Sequence, residues 1–411
     1  PFRIERYHCD QFSDAGRRSA FWCTRDASFM ALHLTQVIAR RLWISTIFAG
    51  SNFCSMRHRN KLIILLTKKF AFGGDTVKVT NFLFGVVACA LSATPLAALA
   101  EDPIVIKFSH VVANDTPKGL SAEFFAKRAG ELTKGKVKVE VYGNSTLYKE
   151  ELEALQLGAV QMLAPSLAKF GPLGVKEFEV FDLPYIFDNY ADLHKVTQGA
   201  IGKSLLAKLE PKGVTGLAFW DNGFKSFSAN TPILMPEDLK GKKMRIQSSK
   251  VLEAQMRALK AIPQVMAFSE VYQALQTGVV DGTENPMSNL FTQKFFEVQK
   301  HLAITDHGYL GYAVIVNKKF WDGLPADLRG QLETAMKEST DYANKIAKEQ
   351  NDKDLEAVTK SGKTAVHVPT PEQRKAFKKA LIPVHEEMAS RIGKELLQSV
   401  YKETGFDPSK L

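Results

Sequence analysis

From Pro103 onward the chain alternates short β-type runs with amphipathic helical runs, and that alternation constrains the fold more than any other feature. "IVIKFSH" predicts a strand ending in polar residues. "TPKGLSAEFFAKRAGEL" predicts a helix, with Thr116 at the N-cap and Pro117 at its first position. "KVKVEVY" alternates as a strand, "KEELEALQLG" predicts a helix stopped by Gly158, and "VQMLAP" predicts the next strand. A second set starts near Pro211. Strands are expected at "GVTGLAFW", "KKMRIQ", "IPQVMAF" and "HGYLGYAVIVNKKFW", with helices at "KVLEAQMRAL" and "SEVYQALQTG". Parallel strands joined by helices give an open α/β sheet. From Pro325 the pattern turns helical: Leu328, Leu332, Ala335, Tyr342, Ile346 and Leu355 recur at helical spacing. They predict a long helix or a bent pair, able to brace two lobes.

Charge divides the chain in two. Residues 1–100 hold 13 Lys+Arg against 5 Asp+Glu, and the rest holds 41 against 39, so nearly all of the +10 net charge lies at the front. The near-neutral remainder argues against a broad phosphate-binding face, and no nucleic-acid partner is expected. All four cysteines (Cys9, Cys23, Cys54 and Cys89) also precede residue 101, without CxxC spacing. A cysteine-free body suits an oxidising compartment.

Residues 77–100, "VKVTNFLFGVVACALSATPLAALA", explain the division. A lysine near the start, the apolar run Phe82–Leu91, Pro95 and the Ala98-Leu99-Ala100 end read as a cleaved secretory signal peptide. Cleavage after Ala100 makes Glu101 the mature N-terminus. Because 76 residues precede this segment and the chain starts at Pro1, the expected explanation is an over-extended reading frame with Val77 as the true start. A genuine basic extension or a disordered tail stays open. No fold is expected in residues 1–76.

Several catalytic and metal motifs fail. "GAIGKS" has Thr197 where a phosphate loop needs glycine. GxSxG, HExxH and GxGxxG are absent, and no cysteine follows Cys89. His301 and His307 are six apart, unsuited to a shared metal. No metal, no cofactor and no catalytic residue is expected, which moves the reading toward binding.

Four stretches, "SHVVANDTPKG", "WDNGFKSFSAN", "KMRIQSS" and "DGTENPMSN", place cationic or amide groups at expected strand ends, where open α/β sheets bind ligands. Arg245 carries a planar fork that matches a carboxylate, a geometry lysine lacks. Asn285 can donate an amide N–H to the same group. Phe181, Trp220, Phe224, Tyr309 and Tyr312 are aromatic candidates for excluding water. Read from the residues alone, each has a plain alternative. Arg245 fits equally a surface arginine paired with Glu253 or Glu270. Lys225 and Lys118 fit solvated lysines, Asn285 a turn residue before Pro286, and His110 a satisfied strand-end histidine. Trp220, Tyr309 and Tyr312 fit the core.

From Glu101 to about Val400 the chain resembles the periplasmic solute-binding proteins of TRAP transporters, and among them the four-carbon-dicarboxylate binders. The resemblance rests on "FSHVVANDTPKG", "ELEALQLGAVQMLAPS", "VFDLPYIF", "WDNGFKSFSAN", "GKKMRIQSS", "MAFSEVYQALQTGVVDGTENP" and "HGYLGYAVIVNKKFWDGLP". It implies an α/β, two-lobed periplasmic binding protein fold with crossing hinge strands and a long bracing helix. The expected organisation is residues 101–224 mainly in lobe 1, 225–315 mainly in lobe 2, and 316–411 as a helical region bracing both. The family's carboxylate-binding arginine and asparagine fall on Arg245 and Asn285. A second basic contact falls on Lys225, where many relatives have arginine. His110, Lys118 and Ser166 match further ligand positions, and Trp220 and Tyr309 complete the expected pocket. The implied function is capture of succinate, malate or fumarate by lobe closure in the periplasm, and delivery to TRAP membrane subunits by a monomeric, non-enzymatic protein. The alternatives are a secreted enzyme acting on a carboxylate, or a TRAP binder for a monocarboxylate or keto acid.

Overall fold

A computed structural model describes residues 102–147 and 152–410 of the chain. The expected extension 1–76, the signal peptide and all four cysteines lie outside the described residues, as does the start of the helix expected at "KEELEALQLG".

The alternation forms one mixed sheet. β1 (Ile104–Ser109) leads to α1 (Pro117–Leu132), where the Thr116 side chain accepts from the Gly119 N–H and Pro117 occupies the first turn. β2 (Val137–Tyr142), α2 (Leu152–Gln156) and β3 (Met162–Leu163) follow, then α3 (Tyr190–Thr197) and α4 (Ala200–Ala207). β4 runs Val214–Ala229. Next come β5 (Lys243–Ile246), α5 (Lys250–Ala258), β6 (Ile262–Val265), α6 (Val271–Gln276), β7 (Gly282–Asn285) and α7 (Met287–Thr292). β8 spans His301–Asn317 and runs into α8 (Lys318–Asp322). A single 36-residue helix, α9 (Ala326–Ser361), precedes β9 (Ala365–His367), α10 (Pro371–Leu381), α11 (Pro383–Ile392) and α12 (Lys394–Thr404).

The strand order is β2-β1-β3-β8-β4-β7-β5-β6, with β9 beside β8. β2-β1-β3 form one parallel trio and β7-β5-β6 another. Parallel neighbours need crossovers, which α1, α2, α5 and α6 supply. The antiparallel pair β4/β8 joins the trios. Val214 meets Asn317 beside β3, whereas Ala229 meets His301 beside β7. Each of these two strands therefore crosses from one half to the other. α9 braces them: Leu328, Leu332 and Ala335 pack with Phe108, Phe125 and Trp220 of the first half, and Val358 packs with Leu302 and Phe295 of the second.

The expected strand "GVTGLAFW" is only the first part of β4, so "WDNGFKSFSAN" lies within a strand and not at its end. Register shifts between Gly216 and Ala218, Asp221 and Gly223, and Lys225 and Phe227 break the two-residue period there. Buried polar residues add to the break, so alternation stops being legible at Trp220. β8 likewise starts at His301, earlier than its regular "HGYLGYAVIVN" portion, and ends before "KKFW", which is helical.

Candidate functional site

The parallel strands β3, β5 and β7 end at one cavity of ≈ 280 Å³. The first half contributes Ser145, Ser166, Lys169 and Tyr312; the second contributes Arg245, Gln247, Phe268, Asn285 and Asn289. This is the carboxyl edge of the strands, where open α/β sheets present loops to ligands.

Arg245 is 3% exposed, near the C-terminal end of β5. Its Nε and Nη2 donate to the Met266 carbonyl at 3.2 and 3.0 Å, and the Phe268 ring centre lies 5.7 Å from the guanidinium carbon. These contacts fix the plane of the fork and leave its Nη1 edge for a further acceptor. Burial pulls its pKa down to about 10, opposed by the Glu284 charge, so it stays cationic at neutral pH. Among the described residues no carboxylate forms an ion pair with it, and Glu253 pairs instead with Lys250. Asn285 closes β7 in register with Ser226 and donates to Thr283 Oγ1 at 3.1 Å. Ser166 precedes the turn Leu167–Lys169, and its hydroxyl accepts from Gln247 Nε2 at 2.8 Å, linking the two halves at the cavity.

Five of the eight ligand-binding residues expected from sequence stand off the cavity wall, as do the aromatic candidates Phe181 and Phe224. Lys225, 2% exposed, places Nζ 2.7 Å from Glu284 Oε1. Gly308 makes room for it, since a Cβ there would lie 2.9 Å from Lys225 Cε. Glu284 Oε2 is 2.8 Å from His307 Nε2, and the Phe227 ring stacks on His307 at 3.8 Å. Burial alone would raise the Glu284 carboxyl, but Lys225 and the His307 hydrogen bond outweigh it and hold it down at about 2. Burial also lowers His307. Lys118 donates to the Ala164 carbonyl at 2.9 Å and sits 4.0 Å over the Tyr312 ring, so it backs the cavity through that ring. His110 is buried, and burial with the Lys118 charge drives its pKa down to about 3. Trp220 donates to Thr340 Oγ1 at 3.1 Å in the core. Tyr309 donates to Asp221 Oδ1 at 2.7 Å and packs against Phe187 and Phe224. Tyr312 is an odd number of residues from Tyr309, hence on the opposite strand face.

Sequence reasoning passed over Lys169, Gln247 and Asn289. Lys169 stands one short turn beyond Ser166, and Gln247 is two residues past Arg245 in the same "KMRIQSS"; those spacings were the available signal. The wall thus carries one cation from each half, Arg245 and Lys169, and no carboxylate side chain among the described residues. Such a site takes an anion. Among the described residues no group of three or more His, Cys, Asp or Glu gathers to hold a metal, and no helix is long and apolar enough to cross a membrane.

Comparison with known proteins agrees with this geometry. Residues 108–392 match the family model DctP, described as bacterial extracellular solute-binding protein, family 7. The C4-dicarboxylate-binding periplasmic protein DctP of Rhodobacter capsulatus is 68% identical over 327 residues, covering 79% of this chain and 98% of the relative. A TRAP periplasmic solute-binding protein from Sulfurospirillum deleyianum, solved with bound succinate, superposes with a TM-score of 0.71 at 48% identity, covering 73% of this chain and 99% of that one. One from Pseudomonas aeruginosa with bound L-malate gives 0.68 at 43% identity, over 69% and 100%. The family's two-lobed α/β architecture is the one built here from two parallel trios and a crossing strand pair. The chain belongs to the DctP family of bacterial extracellular solute-binding proteins.

Proposed function

We propose that this protein captures a C4-dicarboxylate (succinate, malate or fumarate) in the periplasm and delivers it to the membrane subunits of a TRAP transporter. The observation that carries this reading is the small cavity with Arg245 on one half and Lys169 on the other. A four-carbon diacid places a carboxylate at each end, so one ligand can contact both halves and draw them together. A monoacid reaches the Arg245 end alone and makes no contact with the other half. Arg245 and Asn285 receive one carboxylate; Lys169 and the Ser166–Gln247 edge receive the other. Lys225, Lys118 and His110 act from behind the wall, and Trp220 and Tyr309 hold its frame. The role is recognition, with no bond broken.

Calorimetry and melting with succinate, malate and fumarate, set against butyrate, pyruvate and sugars, test this. Diacids should bind and raise the melting midpoint, and the others should do neither. Arg245→Lys keeps charge but loses the fork and its Met266 anchor. It should cost about 2–5 kcal/mol, at least roughly thirtyfold in affinity. Equal binding of butyrate, or an Arg245→Lys protein that binds as the parent does, overturns the two-ended site.

A further inference from the structure

His301 and His367 meet where β9 joins the sheet, although 66 residues separate them in the chain. His301 opens β8 and His367 closes β9. The parallel ladder sets His301 beside Ala365 and Ala303 beside His367, so the two histidines are diagonal neighbours on one face of the sheet. Nδ1 of His301 lies 3.0 Å from Nε2 of His367, and the rings are tilted by 24° with their centres 5.2 Å apart. Among the described residues neither ring has another hydrogen-bond partner. Both side chains are half-buried, which leaves one side of the pair open to water. Burial, then the neighbouring His367 and Lys300, lower the pKa of His301, so its ring is neutral at pH 7 and keeps a lone pair. Neither histidine lines the cavity described above.

We propose that His301 and His367 form a binding site for a divalent transition metal such as Zn²⁺, which ties β9 to β8. Two nitrogens on one tetrahedral Zn²⁺, each at about 2.0–2.1 Å, stand roughly 3.3 Å apart. From 3.0 Å the pair therefore opens only slightly, and both rings swing so that their lone pairs converge on the ion. The proton now shared between the rings does not leave. The ring that carries it moves it to its other nitrogen, so His301 Nδ1 and His367 Nε2 both become ligands. Water fills the remaining positions from the open side. Two neutral imidazole nitrogens suit Zn²⁺, Cu²⁺ or Ni²⁺ and not Mg²⁺ or Ca²⁺, which take oxygen ligands. The Lys300 ammonium opposes a dication, but it sits on an exposed side chain where water and salt screen it. β9 is a three-residue strand that pairs with β8 alone among the described residues, so a metal across the two adds a tie where the ladder is short.

Two measurements on the untagged mature protein at pH 7 test it. The first is a calorimetric titration with zinc chloride alone. Zn²⁺ should bind one to one, and Mg²⁺ should not bind. His301→Gln and His367→Gln, each shown by its melting curve to be folded, should each weaken Zn²⁺ binding by at least about tenfold. Binding that survives either substitution, or Mg²⁺ binding as Zn²⁺ does, overturns the site. The second uses the parent alone and so decides even where a variant fails to fold. In ¹⁵N-labelled protein Zn²⁺ should move the His301 Nδ1 and His367 Nε2 resonances and leave those of the half-buried His194 in place. Movement at His194 instead, or no zinc binding at all, means that the two histidines only share a proton and also overturns the proposal. Neither measurement involves succinate, so this site and the dicarboxylate reading stand or fall separately.

Discussion

Glu284→Gln should be among the most damaging conservative changes in this protein. The carboxylate is buried, 2.7 Å from Lys225 Nζ and 2.8 Å from His307 Nε2, and its charge also reaches Arg245. Glutamine keeps the shape and removes the negative charge paired with Lys225, stranding its buried ammonium. Leaving a buried partner uncompensated costs about 3–5 kcal/mol. The pKa gives a similar figure. The fall from the ordinary value of 4.5 to about 2 corresponds to roughly 3 kcal/mol of stability. A depressed carboxyl contributes above its unfolded pKa, so this increment is present at neutral pH and is lost as pH falls from 4.5 toward 2. Urea denaturation at pH 7 should show a midpoint lower by about 1 M, with the slope unchanged at roughly 3 kcal/mol/M. Adding Lys225→Met to Glu284→Gln should recover part of the loss by removing the stranded charge. A Glu284→Gln protein that loses less than about 1 kcal/mol refutes the claim that this ion pair anchors the site.

Asp182 carries the opposite perturbation. It is buried with Oδ2 unpartnered among the described residues, and burial, opposed by Lys225, pushes its pKa up to about 7. A raised carboxyl keeps its proton in the folded state after the unfolded chain has lost it, so its contribution is intact below about 4 and lost as pH rises to about 7. Asp182→Asn should therefore exceed the parent's stability by roughly 2–4 kcal/mol at pH 8, with the gap closing at pH 4. Melting curves at pH 4, 6 and 8 decide, and a pH-independent gap contradicts the assignment. For export, protein expressed from Val77 in a Gram-negative host should appear in the periplasm beginning at Glu101. Periplasmic protein that still carries residues 77–100 on N-terminal sequencing overturns cleavage after Ala100.

The first strands were legible because β1 and β2 partly alternate and the helix between them is capped, Thr116 and Pro117 marking its start at the level of single residues; β7, the fully buried Gly282–Asn285, carries no alternation and was not expected as a strand. The crossing strand β4 was not legible, because its bulges and its buried Asp221, Asn222 and Lys225 hide a strand inside a polar sequence. That concealment also misdirected part of the site. Lys225 reads as a ligand cation until Glu284, 59 residues away, is seen to neutralise it. Tyr309 reads as a pocket aromatic because no local pattern tells which face of β8 meets the cavity, and Trp220, paired with Tyr312 across β4 and β8, packs into the core beside it. Arg245, Asn285 and Ser166 do line it, at the ends of strands. Gln247 and Lys169 carried only a spacing signal in the sequence, and what marks Gln247 in the fold is a hydrogen bond to a serine 81 residues earlier.

The crossing pair has a consequence for how the molecule comes into being. Val214 meets Asn317 and Ala229 meets His301, so loops of about 70 to 100 residues must close before these strands zip together, which makes the sheet slow to assemble. β3 leans on β8 through Met162 and Val316, so the first parallel trio lacks its inner neighbour until the chain has emerged past residue 317. During synthesis, then, the first half waits as an unfinished sheet with an open edge. Neither parallel trio is complete by itself, since one leans on β8 and the other on β4, strands that both halves share.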